Sequence, residues 1–224
     1  MGIIVQKYGG KLVADKEKMQ QVALNIINCY KNGNKVIAVI SAIGNTTNVL
    51  NEEIFRISNK PAPRDIDMVL ATGEQVAVAL LSMIIQDMGY KSIGLSGWQA
   101  GIITDSNYTN ANIINIKKDM IEEYLDNDYI VLIAGFQGID KDRNITTLGR
   151  GGSDTTATNI AVYLDAEKCE IYKDTKCICT ADPKIVANAK RLLFISYEQM
   201  LELSYMGAKV LSAKSIEYAR KKQA

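Results

Sequence analysis

The sequence predicts an α/β fold whose mostly parallel sheet is covered by helices on both faces. Short, continuous β-branched runs recur along its 224 residues. Between them lie stretches with apolar residues at helical spacing. Those stretches are long enough to serve as crossovers between parallel strands, which are expected to be right-handed.

In chain order, Ile3–Gln6 is a short β-branched strand that Gly9-Gly10 breaks. Asp15 is placed to cap a helix whose apolar positions are Met19, Val22, Ala23, Ile26 and Ile27. Asn32-Gly33-Asn34 ends that helix. Val36–Ser41 reads as a strand of the kind buried on both faces. Residues Asn59–Asp67 hold every proline except Pro183 and are expected to form a flexible excursion. Thr72-Gly73-Glu74 opens a long apolar helix reaching about Met88. Ser92–Leu95 and Ile130–Ala134 read as further buried strands, Thr155–Tyr163 as a helix and Glu170–Tyr172 as a strand. Ser196–Tyr205 and Ser212–Lys222 read as the last helices. There is no internal repeat and no low-complexity tract.

Composition excludes several classes of function. Lys and Arg number 26 against 25 Asp and Glu, so no strong field is expected to hold nucleic acid or an anionic membrane. No window is expected to approach the roughly 18 uncharged apolar residues of a membrane span. Met1–Gly10 lacks the features of a signal peptide, and a cytoplasmic location is expected. Cys29, Cys169, Cys177 and Cys179 are expected as thiols. Cys177 and Cys179 form a C-x-C with no second pair and no histidine in the chain, a poor zinc site. The lack of histidine also removes Ser-His-Asp and Cys-His catalysis.

In a parallel sheet, ligands bind at the carboxyl ends of strands. Three segments fall there. Lys7-Tyr8-Gly9-Gly10 offers a cation and glycine amides to an anion, or is a tight turn with a surface lysine. The run from Ser41 to Asn48 offers hydroxyls and amides at a helix start, or simply caps that helix with Thr46 or Thr47. Gly149-Arg150-Gly151-Gly152-Ser153-Asp154 is the sharpest. Its arginine suits a two-pronged carboxylate clamp, and a helix is expected to start at Ser153 or Asp154. Asp154 suits orienting a metal or the lysine, or capping the helix. Neither the Walker A pattern nor G-x-G-x-x-G occurs.

Taken in order, these segments resemble the aspartate kinases. Lys7-Tyr8-Gly9-Gly10 resembles K-F-G-G, and Val39–Leu50 resembles V-S-A-x-G-x-T-T-x-L. Ala71–Gln75 resembles S-T-G-E-Q, and Ser96–Ile102 resembles T-G-W-Q-A-G-I. Gly135–Gly138 resembles G-F-Q-G, and Thr146–Thr156 resembles T-T-L-G-R-G-G-S-D-T-T. Thr180–Lys184 resembles T-A-D-P-R, and Met206–Leu211 resembles the G-A-K-V-L segment.

The resemblance implies the amino-acid-kinase fold, a three-layer α/β/α sandwich, with Mg2+ and ATP, and L-aspartate as acceptor. The implied product is 4-phosphoaspartate, the first step toward lysine, threonine and methionine. It implies that Lys7 neutralises the transferring phosphoryl group, that Asp154 organises Lys7, and that Gly9, Gly10 and Ser41 cradle phosphate oxygens. Thr47, Glu74, Arg150 and Ser153 would hold aspartate, with Arg150 on the α-carboxylate and Glu74 facing the amino group. Asp174, Lys184 and Lys209 would lie near the nucleotide. No residue is expected as a fixed metal ligand. A carboxylate acceptor is already ionised near neutrality and needs no base, which suits a site without histidine.

The chain departs from the pattern at several places. Lys11-Leu12 stands for Thr-Ser. The segment from Tyr172 to Thr180 stands for Y-T-D-V-D-G-V-Y-T and carries Lys176, Cys177 and Cys179. Ser212-Ala213 stands for His-Pro, and Asn112 for an arginine. The expected organisation is one kinase domain over 1–224 that lacks its final strand and has no regulatory domain. Its open sheet edge would favour a homodimer or pairing with another chain. The alternatives are a degenerate relative serving as a binding or partner subunit, and a kinase of the same fold acting on another acid or on carbamate.

Overall fold

The computed structural model describes residues 2–175, 177–208 and 210–222, without the side chains of the last two. Its central sheet has five parallel strands: β1 (Ile3–Tyr8), β2 (Lys35–Ile40), β3 (Ser92–Leu95), β6 (Ile130–Ala134) and β9 (Lys168–Tyr172). Their spatial order is β3-β6-β2-β1-β9, and every neighbouring pair is parallel.

Alternation along the strands builds two cores. In β2, Val36, Ala38 and Ile40 point to one face and Ile37 and Val39 to the other. In β6, Ile130, Leu132 and Ala134 oppose Val131 and Ile133 in the same way. The first face is covered by α1 (Lys16–Lys31) and α4 (Thr72–Asp87), which contribute Val22, Ala23, Ile26, Val78, Leu81 and Ile85. The second is covered by α5 (Asp119–Asp126) and α6 (Gly152–Tyr163), through Ile121, Leu125, Ala157 and Ile160. Each fully buried isoleucine or leucine contributes about 1.5–3 kcal/mol of transfer free energy. The result is the expected α/β/α arrangement.

Asp15 caps α1, its side chain accepting from the Lys18 amide at 2.8 Å. Ser196 and Gln199 form a reciprocal capping box at the start of α7 (Tyr197–Tyr205). This helix and α8 (Ala213–Lys222) enclose a small third core of Met200, Leu201 and Ile216.

Three features differ from the sequence expectations. First, a second sheet exists, order β5-β4-β7-β8, formed by β4 (Ile102–Thr104), β5 (Ile113–Ile116), β7 (Gln137–Ile139) and β8 (Ile145–Thr147). It is mixed, with one parallel pair between two antiparallel ones. Second, the proline-bearing stretch is no flexible excursion. α2 (Thr46–Ile57) is followed by α3 (Pro63–Leu70), which Pro63 starts from a position where its missing N–H costs nothing. Third, the helical run Pro63–Asp87 is long and apolar enough by composition to cross a membrane, although no such window was expected. Half of it is buried inside the domain, and it carries the buried carboxylates Asp67 and Glu74. Its apolarity is that of a helix covering a sheet.

Candidate active site

Because the five strands run parallel, their carboxyl ends share one edge. The chain leaves that edge at Gly9 after β1, Ser41 after β2, Gly135 after β6 and Lys173 after β9. Residues of these turns and of the starts of α2, α4 and α6 surround a cleft of about 690 Å3. Lys7, Gly10, Ser41, Thr47, Glu74, Arg150, Ser153 and Asp154 all line it.

The positions follow from local structure. Lys7 lies two residues after Val5 and so points to the α6 side of the sheet. There its Nζ meets Asp154 Oδ1 at 2.8 Å, both side chains being almost wholly buried. Asp154 sits in the first turn of α6, where an acid also complements the helix dipole. Burial pulls the Lys7 ammonium below its ordinary range, and the Asp154 charge and hydrogen bond oppose that pull. Gly151 caps α6 with φ of 73°, a left-handed conformation that a side chain would strain. Gly10 is required for another reason: a Cβ there would strike the Ala42 carbonyl. The loop after β1 can therefore lie directly on the loop after β2.

Glu74 comes from the first turn of α4 and is 3 % exposed. Its Oε1 accepts from the Ala42 amide at 3.1 Å, while Oε2 is buried with no hydrogen-bond partner among the described residues. Burial raises its pKa to about 7, against partial relief from the Ala42 amide. A desolvated carboxylate with an orphaned oxygen is complementary to a cation entering the cleft. Arg150, by contrast, is exposed at the mouth and free to reach an incoming carboxylate.

Gly9 lies beside the cleft, and its amide donates to the Tyr172 carbonyl at 3.2 Å. Asp174 and Lys184 are elsewhere. They line a second cavity of about 900 Å3 bounded by Cys177, Cys179 and the loop before α8. Cys177 Sγ and Cys179 Sγ are 3.1 Å apart. Lys209 and Lys176 lie outside the described residues. Of the departures, Lys11 pairs with Asp174 across the surface at 2.8 Å, and Leu12 packs against the α1 side of the core.

Sequence reading missed two groups. Lys173 Nζ lies 2.6 Å from Asp154 Oδ2 and lines the cleft. Its only sequence signal is its place just after a strand. Asp67 is fully buried and accepts from the Thr147 amide and hydroxyl and from the Thr109 amide, at 2.9, 2.6 and 2.9 Å. Thr109 and Thr147 line the cleft, so Asp67 positions its rim.

Residues 2–224 match the amino acid kinase family. The aspartokinase of Geobacillus stearothermophilus is 49 % identical over 220 residues, covering 98 % of this chain and 54 % of its own length. Among solved structures, an aspartate kinase from Synechocystis superposes with a TM-score of 0.86 at 42 % identity, covering 97 % of this chain and 36 % of that one. E. coli aspartokinase III, in complex with aspartate and ADP, superposes at 0.87 with 24 % identity over 98 % of this chain and 60 % of that one, a likeness of fold. The chain thus spans about half the length of the curated relatives it matches. On the strength of the family match over its whole described length, this chain belongs to the amino acid kinase family.

Proposed function

We propose that this chain is the kinase domain of an aspartate kinase, moving the γ-phosphoryl group of ATP to the β-carboxylate of L-aspartate. The observation that carries the reading is the convergence of Lys7, Glu74, Arg150 and Asp154 on one cleft. The aspartokinase identity of a relative 49 % identical supports the choice of acceptor.

The two reactants are both anions, so the site's task is to hold them together against their repulsion. Arg150 clamps the α-carboxylate of aspartate, and the orphaned Glu74 oxygen receives its ammonium. Thr47 and Ser153 orient the side chain. Gly10 and Ser41 present the phosphate cradle, Gly9 contributes by carrying no side chain beside Lys7 Nζ, and Lys7, held by Asp154, neutralises charge on the transferring group. A β-carboxylate oxygen forms the new bond to phosphorus as the bond to the β,γ-bridging oxygen breaks. ADP leaves with the electron pair, and no proton needs to move. Asp174 and Lys184 line the second cavity, which has room for a base and ribose, and they are assigned to the nucleotide; Lys209 is assigned to it by the sequence resemblance alone.

No cluster of three or more metal-ligating side chains occurs among the described residues. Asp154, the acid nearest Lys7, has both oxygens engaged by lysines. Those residues fit a Mg2+ ion that would arrive with the nucleotide phosphates, and Asp154 is the carboxylate that would be placed to help hold it. When bound, the ion supplies charge neutralisation at the β- and γ-phosphates.

The test is ADP release with magnesium and ATP in the presence of aspartate, of glutamate, and of no amino acid. Turnover should depend on aspartate. Equal release with and without it, from protein with native circular dichroism, would remove the reading.

A further inference from the structure

Two lysines share one buried carboxylate at the floor of the cleft. Lys7 Nζ is 2.8 Å from Asp154 Oδ1, and Lys173 Nζ is 2.6 Å from Oδ2. Asp154 is 3 % exposed, while 21 % of the Lys173 side chain remains open. One carboxylate offsets only one of these cations. The other unit of positive charge is left in a desolvated wall, where its field reaches further than it would in water. A charge so placed favours an anion in the cleft.

Lys173 is held there by its strand. β9 pairs with β1 so that Ile171 lies opposite Lys7, and the rings of Tyr172 and Tyr8 stack at 4.8 Å. The lysine follows directly at the carboxyl edge. Its Nζ also donates to the Val210 carbonyl, which ties the segment before α8 to the floor of the cleft. Position 173 is threonine in the Y-T-D pattern that this segment resembles, so the second cation is a property of this chain's own sequence.

We propose that Lys173 is a second phosphate-facing lysine, acting beside Lys7 to neutralise the γ-phosphoryl group while Asp154 keeps the two cations apart. The inference rests on the phosphoryl-transfer reading above. The role given to Lys173 is electrostatic: it supplies charge, and the transfer moves no proton.

Calorimetric titration separates charge from a structural strap. ADP and the imido analogue of ATP, each with magnesium, are titrated into the wild type, Lys173→Met and Lys173→Arg. Loss of a cation facing the γ-group should weaken the triphosphate about tenfold or more in Lys173→Met, with ADP changed less than about twofold. In turnover, kcat should fall about tenfold or more with the aspartate KM nearly unchanged, and Lys173→Arg should recover most of both losses. A strap that merely positions the Val210 segment would weaken both nucleotides alike. Equal weakening, no weakening, or an arginine variant as poor as methionine would overturn the proposal. If methionine lowers the yield of folded protein, Lys173→Gln makes the same comparison. A wild type that binds neither nucleotide would remove the phosphoryl-transfer reading and this inference together. A wild type that binds both, with the variants unchanged, would remove this inference alone.

Discussion

Arg150 and Glu74 lie in the same cleft but in opposite electrostatic situations. Arg150 is exposed, so its removal leaves no buried charge behind and should not disturb folding. Arg150→Ala is expected to raise the aspartate KM about 30-fold or more, the worth of a lost two-pronged ion pair of ~2 kcal/mol, while ATP binding persists. Steady-state kinetics with each substrate varied decide this, and parallel loss of both affinities would contradict the clamp. Glu74 receives the substrate ammonium in its ionised form, and its pKa lies at about 7. The aspartate KM should therefore rise as pH falls below about 7. A Glu74→Gln variant should show a high KM with that pH dependence flattened. A wild-type KM flat between about pH 6 and pH 8 would place the ammonium elsewhere.

At the scale of elements, α3 shows what the sequence conceals. The prolines of Asn59–Asp67 suggest a loop, yet Pro63 is a helix starter and Asp67 ties α3 to β8. Removing the carboxylate leaves the buried Thr147 amide and hydroxyl and the part-buried Thr109 amide without their acceptor. Asp67→Ala is expected to lower stability by about 3 kcal/mol or more, a fall of roughly 10 °C in Tm for a domain of this size, and to raise the aspartate KM through Thr109 and Thr147. Asp65→Ala on the same helix removes an exposed carboxylate paired with Arg64 and should change stability by less than about 0.5 kcal/mol. Thermal melts of the two variants make the comparison, and similar losses would remove the special place given to Asp67. The segments Val36–Ser41, Ser92–Leu95 and Ile130–Ala134 were legible because burial on both faces demands continuous apolar residues. The strands β7 and β8 were not, since three residues are too few for alternation to show.

At the scale of the whole molecule, the cleft is assembled at a cost to stability. Folding raises the Glu74 pKa from 4.5 to about 7, so the folded state binds a proton more tightly than the unfolded chain. Its contribution is intact below about pH 4.5 and is lost as pH rises through about 7, up to ~3 kcal/mol in all. About 2–3 kcal/mol of that loss should fall between pH 5 and pH 8. In Glu74→Gln the loss disappears, so denaturant unfolding at those two pH values should show a flatter dependence and a more stable variant at the higher one. Equal pH dependence of the two proteins would refute this account.

The sequence by itself determined the parallel sheet, most of its helices and the placing of the glycine-rich turns at strand ends. Those properties are written in periodicities of two and 3.6 residues and in backbone demands that a local segment must meet alone. Only the tertiary structure decided the strand order, the second sheet, the burial of Asp67 and the meeting of Lys173 with Asp154. Asp67 and Thr147 are 80 residues apart, and Lys173 and Asp154 are 19 apart. No local pattern encodes such pairings, because their free energy appears only when distant strands and helices close around the same carboxylate.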